Sequence, residues 1–563
     1  MKSALRVRRR LGVASIPGGG VGGGPRQGVG FQAGARVAPV LWALCVAGLG
    51  PLLGCADAGS EASDRSRVSP SGASRGGVVA EPVVSHSLGS DVGSAASSAA
   101  MLVENVLLIS IDTLRADRLE VYGYGRPTSP NLSGIAKRSV VFADARAQAP
   151  QTAPSHASVF TSEYPGAHRI VNAHGGSTEV TQLPAGVTTL AELARRGGLE
   201  TAAFVSGGNL TQRMGMDRGF ELWDERLTDV SERVDACVRW MLAPDRGRFV
   251  ALLHTYQVHA PYLPPRELVA EFVDAGYDGP LRERTERYLA LPAHEAWEAA
   301  TGPAYWEGLL EYTDADVRFL SDLYDAEIRH VDSEIQRLFA YLQGSELGSK
   351  TAVIIFSDHG EEFRDHGKYQ HDQVFEEHLR VPLIVRLPRA LQQEGLVGRV
   401  DAPVELVDIA PTLGELLGLP YGDTGWEGRS LVPLLRSSER PDRSWTERPV
   451  FSELVIDPGP KYHRAVVWQG WKYVHIWQKN IDHVWEQLFQ LQADPGERRN
   501  LVEDSGPEAT RALPALRELL EQQTRRNAAK AAALGEGGTV EMDEDMLQLM
   551  IKLGYVELGA GGR

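Results

Sequence analysis

Two apolar runs that stop abruptly at charged residues constrain this chain more than anything else in it. Asn105-Val-Leu-Leu-Ile-Ser-Ile111 ends at Asp112, and Val353-Ile-Ile-Phe-Ser357 ends at Asp358-His-Gly-Glu361. Short runs of this kind, partly β-branched, read as buried strands of a parallel sheet. In open α/β sheets, ligand groups sit where strands end and loops begin. Asp112, Asp358 and His359 are therefore expected to converge. Between the runs lies Gln151-Thr-Ala-Pro-Ser-His-Ala-Ser158, with the Thr152 hydroxyl two residues before a proline. Two carboxylates, an imidazole and a hydroxyl make a divalent-metal site with an activatable nucleophile. The bland alternatives are an N-cap role for Asp112 and a capping hydroxyl for Thr152.

The rest of the chain alternates as an α/β protein does. Helices are expected over 131–138, 188–197, 230–242, 323–342 and 408–417, and strands over 140–142, 201–206, 249–253 and 381–386. Ser155 is expected to start a helix with Pro154 near its first turn, leaving free N–H groups under an anion at Thr152. Residues 264–320 are charged, aromatic and helix-like, an insertion able to cover the site. After about residue 440 the texture changes. Val466 to Trp477 alternates around a glycine turn as an antiparallel hairpin, and Leu488–Leu491 adds a short strand. Helices, an Ala/Gly-rich break and a last helix from Asp543 to Gly554 follow.

Several of these stretches together resemble the sulfatase family of the alkaline phosphatase superfamily. Leu107 to Arg118 is similar to the family's first metal-ligand strand. Thr152-Ala-Pro-Ser-His156 stands where the family has Cys or Ser, x, Pro, Ser, Arg, and Ser357 to Glu361 resembles its second metal loop. Glu405 to Thr412 and Leu488 to Leu501, with Asp494-Pro-Gly-Glu497, resemble later landmarks. The fold implied is α/β, an alkaline-phosphatase-like mixed sheet between helices with a smaller C-terminal antiparallel subdomain. The function implied is metal-dependent hydrolysis of sulfate or phosphate esters. Two departures stand out. Threonine occupies the position that is oxidised to formylglycine in sulfatases, and His156 replaces the arginine. Both occur in relatives that use threonine directly for phosphoryl transfer. A phosphodiesterase or phosphonate ester hydrolase, or a phosphoethanolamine-type transferase, is thus the alternative within enzymes. A non-catalytic binding lipoprotein is the alternative outside them.

The resemblance assigns roles residue by residue. Asp112, Thr152, Asp358 and His359 hold one divalent metal, and the imidazole favours Mn or Zn, with Ca possible. Thr152 is the nucleophile. His259, in Val-His-Ala-Pro-Tyr, matches the family's catalytic histidine, and His371 falls where a substrate-binding lysine is common; both are catalytic candidates for protonating the leaving oxygen or binding the oxyanion. Arg115, His156 and His254 are candidates for binding the substrate. His366, in Asp-His-Gly, is ambiguous. Asp325, His330 and Asp332 share one helix, but their spacing does not give a second metal triad.

The N-terminus points to export. The first 55 residues hold seven basic residues and no acidic one, and Val37 to Gly54 is apolar and uncharged. Leu52-Leu-Gly-Cys55 resembles the lipobox of bacterial lipoproteins, which makes Cys55 the lipidated residue. Residues 56–100, with twelve serines, read as a disordered Ser/Gly/Ala-rich tether. The expected organisation is a signal peptide with lipobox over 1–55, that tether, a catalytic domain over 101–440, the antiparallel subdomain over 441–505 and C-terminal helices over 506–563. The expected location is the bacterial cell envelope, lipid-anchored and exported. A net charge of −16 argues against nucleic acid as a partner. A small-molecule, glycan or lipid ester is the expected substrate. With Cys45 and Cys55 in the leader, Cys237 stands alone, and its plain reading is a small buried apolar residue.

Overall fold

The computed structural model describes residues 103–556, apart from 174–176, 292, 301–310, 393–397, 437–440, 457–460 and 554. The leader, the tether and Cys55 lie outside the described residues. The strands of the first part are β1 (Asn105–Ile111), β2 (Val140–Arg146), β3 (Glu179–Thr181), β4 (Glu200–Val205), β5 (Leu222–Glu225), β6 (Phe249–Thr255), β7 (Thr351–Phe356), β8 (Glu362–Phe363), β9 (Tyr369–Gln370), β10 (Arg380–Arg386) and β11 (Gly398–Glu405). Eight of them form one sheet in the order β11-β2-β10-β7-β1-β6-β4-β5. Strand β10 runs antiparallel to both its neighbours, while the other pairings are parallel. The sheet is therefore mixed.

The apolar run 105–111 is β1, flanked by β7 and β6, and it is buried along its whole length. Because side chains alternate across a strand, the run divides between two cores. Val106 and Leu108 join Ala352, Ile354 and Phe356 on one face, under the helices Thr152–Thr161 and Ile409–Leu417. Leu107, Ile109 and Ile111 join Val353 and Ile355 on the other, under the helices Val230–Met241 and Asp314–Gln343. Each fully buried Leu or Ile adds about 1.5–3 kcal/mol of hydrophobic stabilisation. This explains why the strands carry no polar alternation.

A second sheet is antiparallel, with the order β12-β13-β14-β15, where β12 is Val450–Ile456, β13 Lys461–Trp468, β14 Trp471–Gln478 and β15 His483–Gln490. The expected hairpin is β13–β14, turning at Gly470 with φ +79. The helix Pro507–Leu534 packs on this sheet through Leu516 and Leu520. Beyond it, β16 (Thr539–Glu541) pairs with β3, and the helix Glu544–Lys552 buries Met546, Met550 and Ile551 in the main core.

Three local expectations change. The helix expected from Ser155 begins at Thr152. Pro154 then falls in the first turn, where a backbone N–H has no intrahelical partner to lose. The long helix begins at Asp314, nine residues early, because Thr313 and Asp316 form a capping box. The Ala/Gly-rich break contains a strand, β16, held by its ladder to β3.

Candidate active site

Strand register builds the site. Ser110 near the end of β1 lies level with His254 on β6 and with Phe356 on β7. The residues that follow emerge together at the same sheet edge. Asp112 follows β1 directly, and Asp358 and His359 follow β7 by two and three residues. The helix starting at Thr152 comes in from the side, pinned by Ser155 Oγ donating to the Asp358 carbonyl at 2.7 Å. Thr113 turns the chain away with φ +56, an uncommon conformation for a β-branched residue.

Thr152 is fully buried, and its hydroxyl does not cap its helix. It donates instead to Asp112 Oδ2 at 3.2 Å and lies 3.4 Å from His359 Nε2. The tautomer of His359 follows from its other nitrogen. Nδ1 donates to the Gly360 carbonyl at 3.0 Å, so Nε2 turns a lone pair toward Thr152. Burial holds this imidazole at a pKa of about 4, hence neutral. His254 Nε2 lies 3.3 Å from the same Asp112 oxygen, and burial together with the neighbouring histidines keeps it well below the usual range.

Asp112, Asp358 and His359 bring ligand atoms within 4.8 Å of one another. Both carboxylates are fully buried. Burial raises their pKa values, and for Asp112 the Asp358 charge raises it further. Asp112 Oδ1 and Asp358 Oδ2 accept no hydrogen bond from the protein. Two adjoining buried carboxylates with unsatisfied oxygens and a neutral imidazole lone pair fit a divalent cation. His156, His254 and Asp358 form an overlapping group. However, His156 Nδ1 is 2.9 Å from the Thr152 carbonyl and Nε2 is 2.9 Å from Ser110 Oγ, so both ring nitrogens are already engaged.

The remaining candidates divide. His259 and His371 lie beside the metal group, with the His371 ring centroid 4.4 Å from that of His359 and 5.6 Å from that of His259. His259 Nδ1 donates to the Ala260 carbonyl at 2.6 Å, and burial lowers its pKa to about 4. Arg115 is elsewhere. Its guanidinium binds Asp117 at 2.7 Å, Asp365 at 3.0 Å and the Glu361 carbonyl at 3.0 Å. His366 stacks on Phe375 and bonds Glu377 at 2.6 Å. Asp325, His330 and Asp332 are occupied by Arg118 and Tyr124, by Asp229, and by the amides of Asn131 and Leu132. The Ala153 amide is taken by Asn172 Oδ1 at 3.0 Å, so the expected set of free helix N–H groups is smaller.

Three residues arrive that the sequence did not single out. The Tyr256 ring meets those of His254 and His259 edge-on at 4.9 and 5.4 Å. The Asn209 backbone N–H donates to the Tyr256 hydroxyl at 3.3 Å. Tyr555 places its hydroxyl 3.0 Å from His259 Nε2 and 3.5 Å from His371 Nε2. Tyr256 could have been found from its place between His254 and His259, whereas Tyr555 lies far along the chain with no motif around it. A cavity of about 500 Å³ adjoins the group, with Tyr256 and His259 on one wall and Pro264, Pro265, Leu289 and Leu291 of the 264–320 insertion on the others.

The sulfatase family model matches residues 104–419. The chain belongs to the sulfatase family. A second model, N-sulphoglucosamine sulphohydrolase C-terminal, matches residues 364–526. This sulfatase-family hydrolase is 26% identical over 455 residues to the Delta 4,5-hexuronate-2-O-sulfatase of Bacteroides thetaiotaomicron, covering 75% of this chain and 89% of that protein. It is 26% identical over 475 residues to the choline-sulfatase of Rhizobium meliloti, covering 74% and 86%. Its fold is similar to that of the phosphonate monoester hydrolase of Agrobacterium radiobacter, with a TM-score of 0.59 and 23% identity over 75% of this chain and 96% of that one. As a member of the family it is an enzyme, a hydrolase acting on ester bonds. The family landmarks 405–412 and 488–501 prove to be scaffold. Asp408 and Glu405 bind Arg448, and Glu497 binds Lys472 at 2.8 Å.

Proposed function

We propose that this sulfatase-family hydrolase uses the unmodified Thr152 hydroxyl as its nucleophile, with one divalent ion held by Asp112, Asp358, His359 and Thr152. The observation that carries the reading is the Thr152 hydroxyl itself. It is buried, donates to Asp112 and faces an unprotonated His359 nitrogen, as an activated nucleophile requires. The bound ion would supply Lewis acidity and lower the pKa of the alcohol.

Asp112 orients the hydroxyl proton, and the hydroxyl oxygen attacks sulfur or phosphorus. The bond to the leaving oxygen breaks, and the alcohol departs with the proton. Water then cleaves the threonine ester, restoring the hydroxyl and releasing the acid. His259 and His371 line the space for the oxygens of the transferred group, and the 500 Å³ cavity beside His259 accommodates the rest of the ester.

A threonine, being a β-branched secondary alcohol, cannot give formylglycine. Its ester must be hydrolysed at sulfur or phosphorus, because no collapse to an aldehyde is open to it. This favours a phosphodiester or phosphonate ester over the matching sulfate. The substrate class is a small-molecule, glycan or lipid ester. Processing before Cys55, with lipidation of that residue, places the enzyme in the cell envelope under this reading. Mn or Zn suits the imidazole-containing set better than Ca.

The deciding experiment is a panel of aryl sulfate, phosphate mono- and diesters and phosphonate esters with several metals, run on the native protein and on Thr152→Ala. Turnover should be highest on a phosphodiester or phosphonate ester, and Thr152→Ala should lower kcat about a thousandfold or more. Unchanged activity in the variant removes Thr152 as nucleophile. Efficient turnover of aryl sulfate with phosphate esters inert restores a plain sulfatase. Product transferred to an added alcohol in preference to water would make the enzyme a transferase.

A further inference from the structure

The C-terminal segment Thr539–Val556 reaches the site, and no residue of the five matched motifs lies in it. Its last described turn sets Tyr555 between the two histidines that line the transferred group's space, 3.0 Å from His259 Nε2 and 3.5 Å from His371 Nε2. The phenol is 5% exposed. Since His259 Nδ1 is a donor to the Ala260 carbonyl, its Nε2 accepts, and the Tyr555 hydroxyl is the donor of that pair. Thr152 lies near enough to act on this hydroxyl. A single phenol thus meets both flanking histidines beside the nucleophile.

The segment is built in and is no loose cover. Strand β16 forms a three-residue ladder with β3, and the Met542 amide donates to the Thr178 carbonyl at 2.7 Å. Met546, Met550, Ile551, Leu553, Tyr555 and Val556 are buried in the same core as the central sheet. Exposing six such side chains would cost far more than a ligand-gated strap can return. The chain opposite is shaped for this segment. Gly208, at φ +65, would with any Cβ stand 3.0 Å from Leu553 Cδ1 and 3.0 Å from the Tyr256 hydroxyl. Asp543 forms an ion pair with Arg213 in the same loop region.

We infer that Tyr555 is a catalytic residue supplied by the C-terminal segment: its hydroxyl donates a hydrogen bond to an oxygen of the group transferred to Thr152. The inference rests on the Thr152 reading above. A neutral phenol fixed by a packed segment is a preorganised donor of the kind that stabilises charge developing on transferring oxygens. No proton leaves the tyrosine. The hydroxyl exchanges its bond to His259 for one to the substrate oxygen, and His259 Nε2 is freed to meet the same group.

The test compares Tyr555→Phe with the native protein and with Thr152→Ala, each loaded with the same metal, on the best ester of the panel. Tyr555→Phe keeps the ring packing and should lower kcat on the order of a hundredfold, with little change in KM and a small fall in melting temperature from the donor lost at His259 Nε2. A second measurement needs no turnover. Inorganic phosphate should raise the melting temperature of the native protein and have a smaller effect on Tyr555→Phe. A kcat within twofold of native, with an equal phosphate effect, overturns the inference. So does a rise in activity, which would make the segment an inhibitory cover. Loss of activity in Thr152→Ala beside a fully active Tyr555→Phe overturns only this inference. An active Thr152→Ala overturns the reading beneath it.

Discussion

Single side chains at this site are defined by what their second polar atom does. His359 gives Nδ1 to the Gly360 carbonyl and so keeps Nε2 for Thr152, while His156 has both nitrogens engaged and acts through position alone. The nearer ring nitrogens of His156 and His359 lie 3.4 and 3.6 Å from Asp358 Oδ2, yet only His359 suits metal binding. Asp358→Ala should remove the bound ion and the activity with the fold largely kept, because the residue lies at a strand end outside the ladder. Elemental analysis of the purified variant checks this, and equal metal in both proteins would refute the ligand set. Ser110→Ala is a gentler case. It takes away the partner of His156 Nε2, and a buried unsatisfied nitrogen costs about 1–3 kcal/mol, measurable by urea unfolding. Neither Asn209 nor Tyr555 could be read from sequence. Each is an ordinary polar residue in an unremarkable stretch, and only the tertiary path brings it to the site.

Among elements, the clearest sequence marks belong to β1 and β7, where an apolar run and an abrupt carboxylate fix both the strand and its functional end. Strand β16 had no such mark. It is three residues long and exists through its partner β3. The landmark around Glu405 and Asp408 is legible as a motif but not as a job. In the folded chain it clamps β11 to the second sheet through Arg448, which meets Asp408 at 2.6 Å and Glu405 at 2.7 Å. Both carboxylates are fully buried, and burial pushes the Glu405 carboxyl up to about 7 even beside the arginine. Arg448→Met leaves two buried acids without their cation. It should destabilise the protein by about 3–5 kcal/mol in denaturant titration, without a matching loss in kcat of the folded fraction.

For the molecule as a whole, buried acids make stability depend on pH, and Glu327 is one that lies away from the metal group. Burial pushes the Glu327 carboxyl up to about 7, despite hydrogen bonds from Gln257 and the Leu263 amide. A folded-state value above the unfolded one means that its contribution is complete below the unfolded pKa and is lost as pH rises through about 7. Beside it, burial opposes but the Asp229 hydrogen bond and the Glu327 charge outweigh it, holding His330 above its ordinary range, so its share is lost in the same direction. Asp229, drawn down to about 2, changes only in strong acid. From about pH 5 to pH 7 the melting temperature of Glu327→Gln should therefore rise relative to that of the native protein, since the variant keeps what the buried acid loses. The order of strands in the main sheet carries a different consequence, one of time. Strand β1 pairs with residues 250–255 and 351–356, so its neighbours are far away along the chain, whereas β12 to β15 pair in sequence order. Closing long loops is slow. On dilution from denaturant, the antiparallel sheet should gain its tryptophan fluorescence first. Turnover should return in a later phase, because Asp112, Asp358 and Tyr555 meet only after the most distant pairings have formed.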